Sequence, residues 1–155
     1  PIMARVLIAD DDELIAELAS EALIDAGHAC GWVTSAADAW TCLQRKRPDV
    51  LLLDQSMPGE SGMTLLRRLR RSSEFYDLPV IMFTAMSGEQ DAFQAIYAGA
   101  QDFISKPFEA HDLARRVGRI IRLRGDRPRH VDLKSAVGLA PVGVALSLGV
   151  ARRPL

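Results

Sequence analysis

The chain has 155 residues, 48% hydrophobic and 25% charged, which is the balance of an ordinary globular domain long enough to bury its own core. That excludes a disordered chain, a coiled coil and a collagen-like repeat. Lys+Arg 19 against Asp+Glu 20 leaves a net charge of -1, so no global field recruits nucleic acid or anionic lipid.

Apolar runs alternate with amphipathic stretches from the start. Val6-Leu7-Ile8-Ala9 reads as a strand buried on both faces and ends at Asp10-Asp11-Asp12. A helix follows, with Leu14, Leu18 and Ala22 recurring every four residues beside Ile15, Ala19 and Leu23. Asp12 is its expected N-cap and Gly27 its C-terminal stop. Ala29 to Thr34 predicts a second strand, and Ser35 caps a helix through Ala39, Trp40 and Leu43 that Pro48 ends.

The pattern repeats three times more. Val50-Leu51-Leu52-Leu53 is a strand ending at Asp54, and a loop leads from Met57 to Gly62. The next helix turns Leu65, Leu66 and Leu69 inward and its arginines mostly outward. Pro79 to Phe83 is a fourth strand ending at Thr84, followed by a helix over about 89–98 that should bury Ala92, Phe93 and Ile96. Phe103-Ile104 form a short fifth strand ending near Lys106-Pro107. A last helix over about 110–123 buries Leu113, Val117, Ile120 and Ile121. Five strand-then-helix units without a hairpin signal predict a doubly wound α/β fold, a parallel sheet covered on both faces. In such sheets ligands bind outside the carboxyl ends of the strands.

Those ends are acidic. Asp10, Asp11 and Asp12 follow the first strand, Asp54 the third, Thr84 the fourth and Lys106 the fifth. Crowded carboxylates repel unless a cation or a proton relieves them. Hard oxygens open to water suit Mg²⁺, while a lysine and a threonine could hold a phosphoryl oxygen. Such a set prepares one carboxylate to attack phosphorus.

The sequence resembles the receiver domain of two-component response regulators over about residues 4–124. The resemblance rests on residues 6–12 (VLIADDD), 48–54 (PDVLLLD), Met57-Pro58-Gly59 with Ser61-Gly62, residues 79–85 (PVIMFTA), and Ala98-Gly99-Ala100 leading to Lys106-Pro107-Phe108. It implies a flavodoxin-like three-layer sandwich with five parallel strands in the order 2-1-3-4-5. Asp54 would then be the phosphoacceptor, with Asp10, Asp11, Asp54 and the Ser56 carbonyl holding Mg²⁺. Thr84 and Lys106 would contact the phosphoryl group, and Thr84 with Phe103 would form the switch. The resemblance also implies a cis peptide between Lys106 and Pro107.

The expected donor is a histidine kinase or a histidine phosphotransfer protein, since His28, His111 and His130 do not read as phosphodonors. A downstream protein is expected on the face of the last two helices, and self-association through that face or the tail is a further option, with no direct nucleic acid and no membrane. The protein would catalyse only its own phosphorylation and dephosphorylation. The rival readings are a phosphorylation-independent adaptor and a regulatory fragment of a larger output protein.

Cys30 and Cys42 fit no metal or disulfide spacing and read as buried free thiols of a reducing compartment. With no basic, apolar leader read at the start, a cytoplasmic location is expected. Residues 125–155 form a linker and tail of unassigned role. Five basic residues against two acids leave this segment at +3 and the first 124 residues at -4.

Overall fold

The computed structural model of the protein describes residues 3–85 and 89–125. The elements run β1 (Arg5–Ala9), α1 (Glu13–Asp25), β2 (Ala29–Val33), α2 (Ala36–Arg45), β3 (Val50–Asp54), α3 (Gly62–Arg70), β4 (Val80–Thr84), α4 (Glu89–Tyr97), β5 (Asp102–Ser105) and α5 (Ala110–Gly125). All four strand pairings are parallel and the order is β2-β1-β3-β4-β5. This is the expected sheet.

Every residue of β3 and β4 is buried, which is why both read as unbroken apolar runs. Alternation along the strands sends Leu51, Leu53, Val80 and Met82 to the side packed by α2, α3 and α4. Val50, Leu52, Ile81 and Phe83 go to the side packed by α1 and α5. The caps form as read. Asp12 accepts hydrogen bonds from the Leu14 and Ile15 N–H groups, Ser35 from the Asp38 N–H, and Gly27 takes φ +99° just past α1.

Two helices sit differently from the reading. In α1, Leu14 and Leu18 are 63% and 45% exposed, while Ala16, Ala19, Ser20 and Leu23 are buried. The small residues let the helix lie close on the sheet, so the stripe of small side chains wins over the stripe of leucines. In α4, Phe93 and Ile96 were expected inside but are 68% and 47% exposed, and Ala95 takes the core position. Phe93 stacks instead on exposed Tyr97, with ring centroids 6.1 Å apart.

Cys30 and Cys42 are free, as expected, but half-buried rather than buried. Arg70 turns inward against expectation and donates to the carbonyls of Gly99 and Phe75 and to Gln101 Oε1, tying α3 to the strand-bearing loops around β5. On α5, Arg116 pairs with Asp102 and Asp112, and Arg115 with Asp112. No helix among the described residues is long and apolar enough to cross a membrane. Met86 and the C-terminal segment beyond residue 125 lie outside the described residues.

Candidate functional site

The carboxyl ends of β1 and β3 are neighbours because β1 pairs with β3 in parallel register from Val6↔Val50 to Ala9↔Leu53. One carboxylate oxygen from each of Asp10, Asp11 and Asp54 therefore lies within 4.8 Å of the others. Asp10 is wholly buried, Asp54 is 3% exposed, and Asp11 faces solvent. The Asp12 N–H donates to Asp10 Oδ1 at 2.9 Å, and the Ser56 N–H reaches Asp54 Oδ1 at 3.4 Å.

Lys106 supplies the opposing charge from the loop after β5. Its backbone N–H donates to the Thr84 carbonyl at 2.7 Å, extending the β4–β5 ladder. The Lys106–Pro107 peptide is cis, as the resemblance implies. The ammonium stands 2.6 Å from Asp10 Oδ2 and 3.4 Å from Asp54 Oδ1. It also lies 5.1 Å from the centre of the Phe83 ring, against which Phe108 packs at 5.2 Å. The ammonium is the charged partner of Asp10 Oδ2 among the described residues.

One ammonium facing three carboxylates leaves the cluster short of positive charge. Burial pushes the Asp54 carboxyl up to about 7, and the charge of Asp10 adds to the rise while Lys106 opposes it. The cluster fits a divalent cation on three counts. All its donors are hard oxygens, Asp11 leaves it open to water, and one ammonium does not balance three carboxylates. Beside it a cavity of about 570 Å³ is lined by Asp11, Ser56, Met57 and Pro58 among others, which gives access from solvent.

The other expected residues stand as follows. Thr84 is 1% exposed at the end of β4, and Phe103 is half-buried on β5, packed against the core beneath α2, α3 and α4. Ser56 is exposed in the loop after Asp54. Phe83, a core strand residue by its sequence pattern, also forms a face of the lysine pocket.

Gly62 carries a packing role that its place in the Ser61-Gly62 pair does not reveal. A Cβ at Gly62 would stand 1.9 Å from the Asp54 carbonyl oxygen and 2.8 Å from its carbonyl carbon. The start of α3 thus rests directly on the backbone of Asp54, held by the Gly62 N–H donating to the Gln55 carbonyl at 3.0 Å. Gly62→Ala is expected to destabilise the fold by about 1–3 kcal/mol through overpacking. Urea unfolding measures the loss, and a wild-type value would show that α3 can move away freely.

Residues 6–118 match the family described as the response regulator receiver domain. The phosphate regulon transcriptional regulatory protein PhoB of Pseudomonas aeruginosa is 38% identical over 120 residues, covering 77% of this chain and 52% of that protein. A response-regulator structure from Chloroflexus aurantiacus superposes with a TM-score of 0.74 at 33% identity, covering 78% of this chain and 99% of that one. Vibrio cholerae chemotaxis protein CheY4 gives 0.71 at 28% identity, with 77% and 99% covered. The chain spans about half the length of the first curated relatives it matches, at 52% of each.

Proposed function

The chain belongs to the response regulator receiver family of two-component signalling, and from that premise we propose that Asp54 is its phosphoacceptor. The observation that carries this reading is the convergence of Asp10, Asp11 and Asp54 with the Lys106 ammonium at one edge of the sheet. The receiver unit spans 4–124. The donor is a phosphohistidine on a kinase or a phosphotransfer protein. A carboxylate oxygen of Asp54 attacks phosphorus in line, the P–N bond breaks, and the imidazole leaves with its electron pair and takes up a proton.

Asp10, Asp11, Asp54 and the Ser56 carbonyl are the groups that would hold Mg²⁺. When bound, the ion supplies positive charge against the phosphoryl oxygens and the crowded carboxylates. Lys106 orients the transferring group and opposes its charge, and buried Thr84 offers it a hydroxyl. Phe103, half-buried one strand away, follows Thr84 and carries the change toward the faces of the last two helices. The acyl phosphate adds charge and acceptor oxygens, which shifts an existing equilibrium toward the partner-binding form. The only chemistry is on the chain itself; no external metabolite is turned over.

Intact mass after treatment with acetyl phosphate or phosphoramidate tests the proposal. One phosphoryl group is expected on the wild type with Mg²⁺. Little is expected in EDTA, and none on Asp54→Asn under any condition. An unmodified wild type that is folded and supplied with metal would overturn the assignment. Modification of Asp54→Asn equal to the wild type would move the acceptor elsewhere.

A further inference from the structure

A second cavity lies at the opposite end of the sheet, near the amino ends of the strands. Its origin is the small-residue pattern of β2. Leu7 and Val33 both pack in the core cluster under α2, and Gly31 is the register partner of Leu7. Ala29, Gly31 and Val33 therefore share that face of the edge strand, and only Val33 is large enough to meet the helix. A cavity of about 350 Å³ opens where the other two fall short, roofed by the last turn of α2. A Cβ at Gly31 would meet no atom within 4 Å. That glycine keeps the floor open.

The lining is apolar with a cationic rim. Val6, Leu7 and Ala29 line it with Arg5, Arg45 and Lys46. Among the described residues neither Arg45 nor Lys46 has a carboxylate partner, and the Arg5 guanidinium donates to the Arg47 carbonyl at 3.2 Å. Three cations thus line this end of the sheet, with the Asp49 carboxylate beside them accepting from the Arg5 N–H at 2.8 Å. The surplus of positive charge favours an anionic head group.

We propose that this cavity binds a small amphiphilic carboxylate, with its apolar body over Leu7 and Gly31 and its head group among Arg45, Lys46 and Arg5. The volume sits at the small end of the roughly 300–1,000 Å³ typical of ligand pockets. That matches a medium-chain fatty acid or an aryl acid and is too small for a nucleotide cofactor. The site is separate from the phosphoacceptor edge, so its occupancy and the phosphorylation reading stand or fall independently.

The test is a titration of the full 155-residue chain with sodium decanoate below its micelle concentration, followed by amide NMR shifts of 29–33 and 45–46. Saturable one-to-one shifts confined to those residues are expected. Gly31→Val builds side-chain volume onto the floor, where a Cβ would meet no atom within 4 Å, and should weaken binding by about tenfold or more. Arg45→Gln combined with Lys46→Gln, both on the exposed end of the helix, should weaken it roughly fivefold and reduce its salt dependence. Phosphorylation by acetyl phosphate and thermal melting of Gly31→Val should match the wild type. No saturable shifts, or unchanged affinity in both variants, would overturn the proposal. Equal affinity for decanol would overturn the choice of an anion.

Discussion

Replacing Lys106 by Met is expected to destabilise the metal-free protein by about 3–5 kcal/mol, because it strips the cation from a buried carboxylate. Asp10 is wholly buried, and its Oδ2 has only the Lys106 ammonium at 2.6 Å to offset the lost hydration. Methionine keeps an unbranched apolar stem of similar length, so the loss reports the charge, including its contact with the Phe83 ring, rather than a cavity. Urea unfolding in EDTA measures it. Added Mg²⁺ should restore much of the stability, since a ligand that binds only the folded state stabilises by mass action. The same variant should lose about two orders of magnitude or more in phosphoryl uptake, as expected for removal of a group that opposes transition-state charge. A Lys106→Met protein as stable as the wild type in EDTA would mean that the Lys106–Asp10 pair is not what offsets the burial of Asp10.

Asp54→Asn is expected to act in the opposite direction, stabilising the metal-free fold while abolishing phosphorylation. The folded-state value of Asp54 is raised to about 7, first by burial and then by the charge of Asp10, from an ordinary 3.8. A carboxyl raised in the folded state binds its proton there more tightly than in the unfolded chain. Its contribution is therefore fully present below about pH 4 and is lost as pH rises through 7. The loss is about 4 kcal/mol by pH 8. The asparagine variant lacks this slope, so its advantage over the wild type should grow from acid to neutral pH and then level off. Chemical denaturation at several pH values in EDTA measures both curves, and parallel curves would place the crowding relief elsewhere. Mg²⁺ should close the gap by stabilising the wild type.

These two variants describe one design. The site keeps carboxylates closer than their charge permits, and a single lysine offsets part of the repulsion. In the proposed function, stability given up at the carboxyl edge leaves the cluster ready for a cation and a phosphoryl group, a common relation between stability and activity.

The alternation of apolar runs with helical periodicity determined the fold class, because strands buried on both faces need unbroken apolar runs such as 50–53 and 80–83. Polar residues that end those runs, Asp10, Asp54, Thr84 and Lys106, were legible for the same reason. A parallel sheet brings all its carboxyl ends to one edge, so position along the chain translates directly into position in space. The caps at Asp12 and Ser35 were also local matters, decided by one side chain and the N–H groups two or three residues on.

Which side of a helix meets the sheet was not local. Leu14, Leu18, Phe93 and Ile96 look like core residues by periodicity, yet close approach favoured the alanine faces of α1 and α4. Hydrophobicity along a helix gives a stripe, but its rotation depends on the surface it meets. The pressure of Gly62 on the Asp54 backbone, the Lys106 ammonium shared between Asp10 and Asp54, and the cavity over Gly31 likewise belong to packing between distant segments. Sequence by itself determined the class of fold and the chemical groups at its edge, since both follow from patterns a few residues long. Tertiary structure alone decided their distances, their burial and hence their charge balance, since those depend on contacts between residues as far apart as Asp10 and Lys106.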